Sequence, residues 1–383
     1  MNTPIGHLYI HVPFCSGKCV YCAFYSELFD ANTCNAFLDS LERELDMYID
    51  GESAPETVYF GGGTPSILDK EQLERLLQTI HDRMDLSKVV EWTLEANPGT
   101  LTDGKLPAVK AAGVNRISLG AQSFDDEVLK QMGRRHSARD ISDSVEAVRS
   151  AGFEKIGIDL IACLPGVDTD GWKRDLLAAA RLEPDHLSVY ALSVEEKSVL
   201  HAMVKDGHVS MPSEQAQIHA LAIAEDILGG AGYNRYEISN YSRPGSECLH
   251  NLSCWRGGDY VGFGPAASSR VGRKRWSNSA SLDGYVSRLF QGLPPNSDSE
   301  ILSKEMDATE RLMFAFRLRE GVFLNDFAIE DLPMDHWYQA LLEQERLGLV
   351  EQRDERWFLT NTGCLLADTV AEALIPSSPA QPA

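Results

Sequence analysis

Six short apolar segments alternate with helical patterns through the first half of the chain, at residues 8–13, 57–60, 89–95, 116–119, 156–161 and 186–190. This alternation constrains the fold more than any other feature. Apolar strands joined by crossover helices, such as the patterns at 71–84 and 140–151, specify βαβ units and a parallel sheet. Six units fall short of the eight that close a (β/α)8 barrel. The expected fold class is α/β: a partial (β/α)6 TIM-like barrel over residues 1–197, with smaller C-terminal α+β and winged-helix-like parts.

Residues 198–300 are less regular, with a helix pattern at 213–228 and then Gly-rich and aromatic loops at 229–233 and 257–264. In residues 301–375, helix patterns at 308–319 and 336–347 precede a hairpin pattern at 350–359 and a last helix, the order of a small winged-helix-like module. Residues 376–383 read as a disordered tail. A winged module usually implies DNA. Here a formal net charge of -22 argues against phosphate-backbone binding, so no nucleic-acid partner is expected. The start of the chain lacks a basic, apolar leader, and no run approaches the roughly 18 apolar residues of a membrane span. Eight cysteines in a chain of this size suggest metal binding or catalysis rather than a disulfide framework, and a cytoplasmic location is expected.

The densest cysteine run is Cys15-Ser-Gly-Lys-Cys19-Val-Tyr-Cys22, directly after the first strand. Spacings of four and three let one loop wrap three corners of a cubane cluster, one thiolate per iron. No fourth cysteine follows, because Phe24 stands where one would fall, and one iron is left open for a ligand. The plainer alternatives are three reduced thiols in a loop, or a zinc site short of a ligand. Cys34, Cys163 and Cys364 stand alone and read as small buried hydrophobes.

This cysteine spacing, with Tyr21 before the third cysteine, resembles the cluster motif of the radical S-adenosylmethionine (SAM) family. Tyr9-Ile-His-Val-Pro-Phe-Cys15 and Gly61-Gly-Gly-Thr-Pro65 resemble the branch that holds the oxygen-independent coproporphyrinogen III oxidases and the HemW-type heme chaperones, and the likeness runs to about Leu374. It implies a [4Fe–4S] cluster on Cys15, Cys19 and Cys22, with SAM on the open iron. Gly62, Gly63 and Thr64 then match contacts to the SAM amino group, where the plain reading is a tight turn. Glu95, Gln122, Arg134 and Asp159 match further SAM contacts at strand ends. Read alone, Glu95 and Arg134 are surface charges and Asp159 a structural hydrogen-bonding group. Tyr9 and Tyr21 match positions near the cluster and adenine; either could be a core aromatic.

Two departures separate the chain from the oxidase side of this branch. Those enzymes carry a further cysteine where this chain has Phe24, and a longer arm ahead of the cluster. The heme chaperones instead carry His-Asn-x-x-Tyr-Trp, which His250-Asn251-Leu252-Ser253-Cys254-Trp255 resembles, with cysteine in place of tyrosine at 254. The resemblance implies that His250 binds heme, since a neutral imidazole ligates heme iron, as can a thiolate such as Cys254. The plain reading makes His250 a loop histidine and Trp255 a core residue. The basic run Arg270, Arg273, Lys274 and Arg275 is a candidate clamp for porphyrin propionates, or else a solvated loop. The function expected is a heme chaperone that delivers heme to recipient hemoproteins, respiratory enzymes among them, without coproporphyrinogen oxidase activity. The alternative is a radical SAM enzyme acting on a tetrapyrrole, either as coproporphyrinogen III dehydrogenase or in heme degradation. The family also implies a homodimer, and peripheral membrane association is left open.

Overall fold

The computed structural model describes residues 5–49, 54–102, 104–328 and 334–376. The tail expected at 376–383 lies outside the described residues from 377 onward. The six expected strands are β1 (His7–Val12), β2 (Thr57–Gly62), β3 (Glu91–Ala96), β4 (Arg116–Gln122), β5 (Lys155–Ala162) and β6 (His186–Ala191). Each pairs in parallel with the next in chain order, His7 facing Thr57 and Thr57 facing Glu91, so the C-terminal ends gather on one side. This is the partial (β/α)6 barrel expected.

The strands are buried on both faces but chemically two-sided. Leu8, Ile10, Val58, Phe60, Trp92, Leu94, Ile117 and Ile158 join one hydrophobic core with residues of the crossover helices, such as Phe37, Leu41 and Leu76. The alternate positions are Thr57, Tyr59, Glu91, Glu95, Arg116, Ser118 and Asp159; inside the barrel Tyr59 bonds to Glu95, Arg116 to Glu91 and Ser118 to Asp159. The helices start on side-chain caps: Asp69 and Gln72 close a capping box on Lys70–His81, and Ser137 and Asp140 do so on Ala138–Ser150.

Residues 198–300 extend this same sheet at both edges. β7 (Asn234–Arg235) and β8 (Asn240–Ser242) lie beyond β6, and β9 (Tyr260–Phe263) pairs in parallel with β1. The antiparallel strands β10 (Ser268–Val271), β11 (Lys274–Asn278) and β12 (Asn296–Ile301) complete an order of β12-β11-β10-β9-β1-β2-β3-β4-β5-β6-β8-β7. A boundary at 197 thus divides the chain but not the sheet. The C-terminal part, with helices Lys304–Ala315 and Met334–Arg346 and the hairpin Val350–Arg353/Arg356–Leu359, has its own core around Leu312, Trp337, Leu341 and Trp357.

The basic run at 270–275 is not a free clamp. Arg270 is buried and bonds to Asp307 (2.7 Å) and the Gly257 carbonyl (2.8 Å); Arg275 pairs with Glu300 (2.6 Å) and Glu310. Arg273 donates to the Leu302 carbonyl, and Lys274 lies over the Trp276 ring. Arg270 and Arg275 fasten the outer strands to helix Lys304–Ala315.

Candidate functional site

A cavity of about 620 Å³ opens at the C-terminal ends of β1–β6. Its wall begins with the cysteine loop. A short parallel pair, Phe14–Cys15 with Glu27–Leu28, closes the loop at its base, and Val20 N–H donates to the Met132 carbonyl at its far side. The glycine run after β2 lies directly against it, with Gly63 N–H on the Val12 carbonyl (2.9 Å) and Thr64 N–H on the Phe14 carbonyl (2.7 Å). A Cβ on Gly63 would stand 2.6 Å from the Phe14 carbonyl oxygen, and Gly62 holds a φ of +101° against the His11 ring. These glycines therefore serve close backbone packing of the cysteine loop as well as lining the cavity.

A chain of side chains runs around the opening. Cys15 Sγ lies 3.6 Å from Thr64 Oγ1, Asn97 Nδ2 donates to Thr64 Oγ1 (2.9 Å), and Arg134 Nη2 donates to Asn97 Oδ1 (2.7 Å) and the Gly120 carbonyl. Arg134 Nη1 closes the circuit on Cys19 Sγ at 3.5 Å. Deeper in, Tyr59 OH donates to Glu95 Oε1 (2.6 Å) and Ser118 Oγ to Asp159 (3.1 Å). Burial, with the charge of Asp159 adding to it, raises Glu95 to about 7. Burial also raises Asp159, against the hydrogen bonds of Ser188 and Ser118.

The structure brings Cys15, Cys19, Cys22, Tyr21, Gly62, Gly63, Thr64, Glu95, Gln122, Arg134 and Asp159 to this one cavity. Gln122 reaches it from a bulge with a φ of +71°. Tyr9 and His250 stand elsewhere. Tyr9 OH bonds to His11 Nδ1 (3.1 Å) inside the barrel. His250 is buried at the N-terminal ends of the strands, with Nδ1 on Thr57 Oγ1 (2.8 Å) and its ring 5.1 Å from that of Tyr59. Burial lowers its pKa to about 3, so the imidazole is neutral, but it is closed to a porphyrin in this conformation. Cys254 is part-buried and pushed up to about 12 by burial. Trp255 packs on Phe314 beneath the Arg317 guanidinium.

Sequence reasoning missed Asn97, Ser118 and Tyr190, which line the cavity. Asn97 had a signal: it lies two residues beyond Glu95, on the same side by strand alternation.

The donor set suits the cofactors of the radical SAM family. Three free thiols border one cavity, and no group of three or more His, Cys, Asp and Glu among the described residues converges on a single metal ion. Three thiolates presented by one loop supply the soft donors that a polynuclear iron–sulfur cluster takes. Arg134, whose buried Nε has no protein partner among the described residues, and the two buried carboxylates offer opposite charges to a zwitterion such as SAM.

The model of the radical SAM superfamily matches residues 9–179, and that of the HemN C-terminal domain matches 302–366. The chain is 37% identical over 374 residues to the heme chaperone HemW of Lactococcus lactis, covering 96% of each. It is 32% identical over 388 residues to that of Escherichia coli, covering 98% of this chain and 99% of the relative. Among solved structures, coproporphyrinogen III oxidase (HemN) from Escherichia coli shares the fold, with a TM-score of 0.82 and 22% identity over 97% of this chain and 90% of that one. With relatives this similar over nearly its whole length, and a cavity that gathers the three cysteines with their glycine loop, the chain belongs to the HemW heme chaperone family of radical SAM proteins.

Proposed function

We propose that this protein binds heme and delivers it to hemoproteins, with its [4Fe–4S] cluster and SAM serving assembly and regulation rather than porphyrinogen oxidation. The observation that carries the reading is the identity of 37% over 96% of both chains to a protein named a heme chaperone. Phe24 supports it: at the cavity edge, 71% exposed, it offers an aromatic face where the oxidases of the branch, by resemblance, carry a further cysteine. When bound, the cluster and SAM supply one-electron chemistry. The chain's own part is to hold them with Cys15, Cys19, Cys22 and the circuit through Thr64, Asn97 and Arg134.

An anaerobic heme titration of the cluster-reconstituted chain, followed by absorbance, tests the reading. Saturable binding near one heme per chain, with transfer to an apo-hemoprotein, supports it; no saturable binding overturns it. The second reading, a radical enzyme on a tetrapyrrole, is favoured by the fully assembled cavity. It requires 5′-deoxyadenosine release that depends on the tetrapyrrole. Light scattering with and without cluster tests the homodimer, and flotation with vesicles tests peripheral membrane association. No helix among the described residues is long and apolar enough to cross a membrane.

A further inference from the structure

A second cavity, of about 600 Å³, lies in the C-terminal part, between the segment 316–319 and the hairpin. Its lining includes Phe358 and the largely buried Phe316, Leu318 and Leu359, together with Glu351 and three arginines, in a chain of net charge -22. The acidic contacts of Arg317 and Arg319 are slack compared with those of Arg270 and Arg275. Arg319 reaches Asn361 Oδ1 at 3.4 Å, Cys364 Sγ at 3.5 Å and Glu225 at 3.9 Å, all longer than the 2.7–2.9 Å of a charge-assisted hydrogen bond. Arg317 lies 3.5 Å from Glu237, whose other oxygen already accepts from Ser239 and Asn240. The buried Nε of Arg317 has no partner among the described residues. Arg353 pairs with Glu351 and lies over the Phe358 ring, and both charged side chains are exposed, so an incoming carboxylate competes with a weak ion pair.

The cavity also meets the family motif. The Arg317 guanidinium lies 4.2 Å over the ring of Trp255, the last residue of the His-Asn-Leu-Ser-Cys-Trp run. Apolar side chains and a cluster of arginines lining one cavity match a hydrophobic ligand with acidic arms on one edge. Pockets of this size are typical of sites that enclose a cofactor-sized ligand. Guanidinium forks suit carboxylates better than ammonium groups do.

We propose that this cavity seats the propionate edge of heme, with Arg317, Arg319 and Arg353 as its cationic partners and Trp255 as the support that orients Arg317. The inference rests on the heme-binding reading and names its site. Cys364 faces the same cavity and is buried, so its sulfur stands within the ligand's surroundings.

The test is an anaerobic titration of the full, cluster-reconstituted chain with hemin and with hemin dimethyl ester, whose propionates carry no charge. The wild type and an Arg319→Gln/Arg353→Gln variant are compared. A hydrogen bond to a charged group implies roughly a tenfold loss in Kd when the charge is removed. The wild type should bind the ester at least roughly tenfold more weakly than hemin. The variant should bind hemin as weakly as the wild type binds the ester, and should lose little more with the ester. Equal wild-type affinity for hemin and ester, or a variant that keeps full affinity for hemin, overturns the site while leaving heme binding intact. Failure of the wild type to bind either ligand overturns the heme reading and the site with it. The ester arm needs no substitution, so misfolding of the variant does not remove the test.

Discussion

Glu44 offers a sharp test of how the outer strands are held to the barrel. It projects from helix Ala31–Tyr48 and is fully buried. Its carboxylate accepts from Tyr285 OH (2.6 Å), Gly264 N–H (2.8 Å) and Asn278 Nδ2 (2.6 Å), which tie it to the loop after β9, to β11 and to helix Leu282–Phe290. These bonds favour the charged form, yet burial outweighs them and raises the group from 4.5 to about 7. Below pH 4.5 the carboxyl is protonated in both the folded and the unfolded chain. As pH rises toward 7 the unfolded chain gives up this proton first, so stability falls through that window and is flat above it. A gap of about 2.5 pH units, at about 1.4 kcal/mol each, makes the loss about 3 kcal/mol. Urea unfolding of the reconstituted chain between pH 5 and 8, set beside Glu44→Gln, isolates it, because Glu95 titrates alike in both proteins. Between pH 5 and 8 the wild type should lose about 2.5 kcal/mol more than the variant, since part of the unfolded-state titration lies below pH 5. Parallel curves for the two would refute the reasoning and mean that the three hydrogen bonds keep Glu44 ionised at ordinary pH.

Other outcomes follow from the same geometry. Arg116→Met removes the close buried partner of Glu91 at 3.0 Å and leaves Lys155, at 3.8 Å, and the donors Cys248 and His250 N–H on it, so it should cost about 3 kcal/mol in unfolding experiments. Adding Glu91→Leu should recover part of that loss, and a fully additive double variant would contradict it. Gly63→Ala drives a methyl into the backbone of residues 12 and 14, so iron and sulfide content after reconstitution should fall well below wild type. Arg134→Met removes the link between Asn97 and Cys19 and should weaken SAM binding roughly tenfold by equilibrium dialysis.

Much of the barrel and its upper rim is legible in the sequence, for physical reasons. Outward positions such as Leu8, Ile10, Val58 and Phe60 must be apolar because helices cover them, and the three cysteines sit close enough together for one loop to present them. The inner face is harder to read. Glu91 and Arg116 look like isolated polar residues in apolar strands until the fold sets them 3.0 Å apart. The outer strands were also hidden: Asn296–Ile301 has almost no buried face, so it carries none of the apolar alternation that marks a strand. The run at 270–275 looked free because its acidic partners, Asp307 and Glu310, come more than thirty residues later.

His250 shows that recognising a motif does not by itself assign the part each residue plays. The backbone N–H of His250 and the thiol of Cys248 both reach Glu91, while the imidazole bonds to Thr57. At the other end of the same helix, Trp255 receives Arg317 from the C-terminal part. The motif therefore joins the inner end of the barrel to the wall of the arginine cavity. A loss of heme affinity in His250→Ala would not by itself identify an iron ligand. Truncation removes a buried hydrogen bond and leaves a cavity, at a combined cost of about 2–4 kcal/mol. Two readings separate these roles. If His250 is structural, the variant should melt several degrees lower, while heme bound to it keeps the wild-type Soret position. If it ligates iron, the Soret band and the low-temperature spin-state spectrum must change with little loss of melting temperature. The bond to Thr57 and the burial of the ring lead us to expect the first result, and the second would mean that the helix at 249–255 leaves the barrel when heme binds.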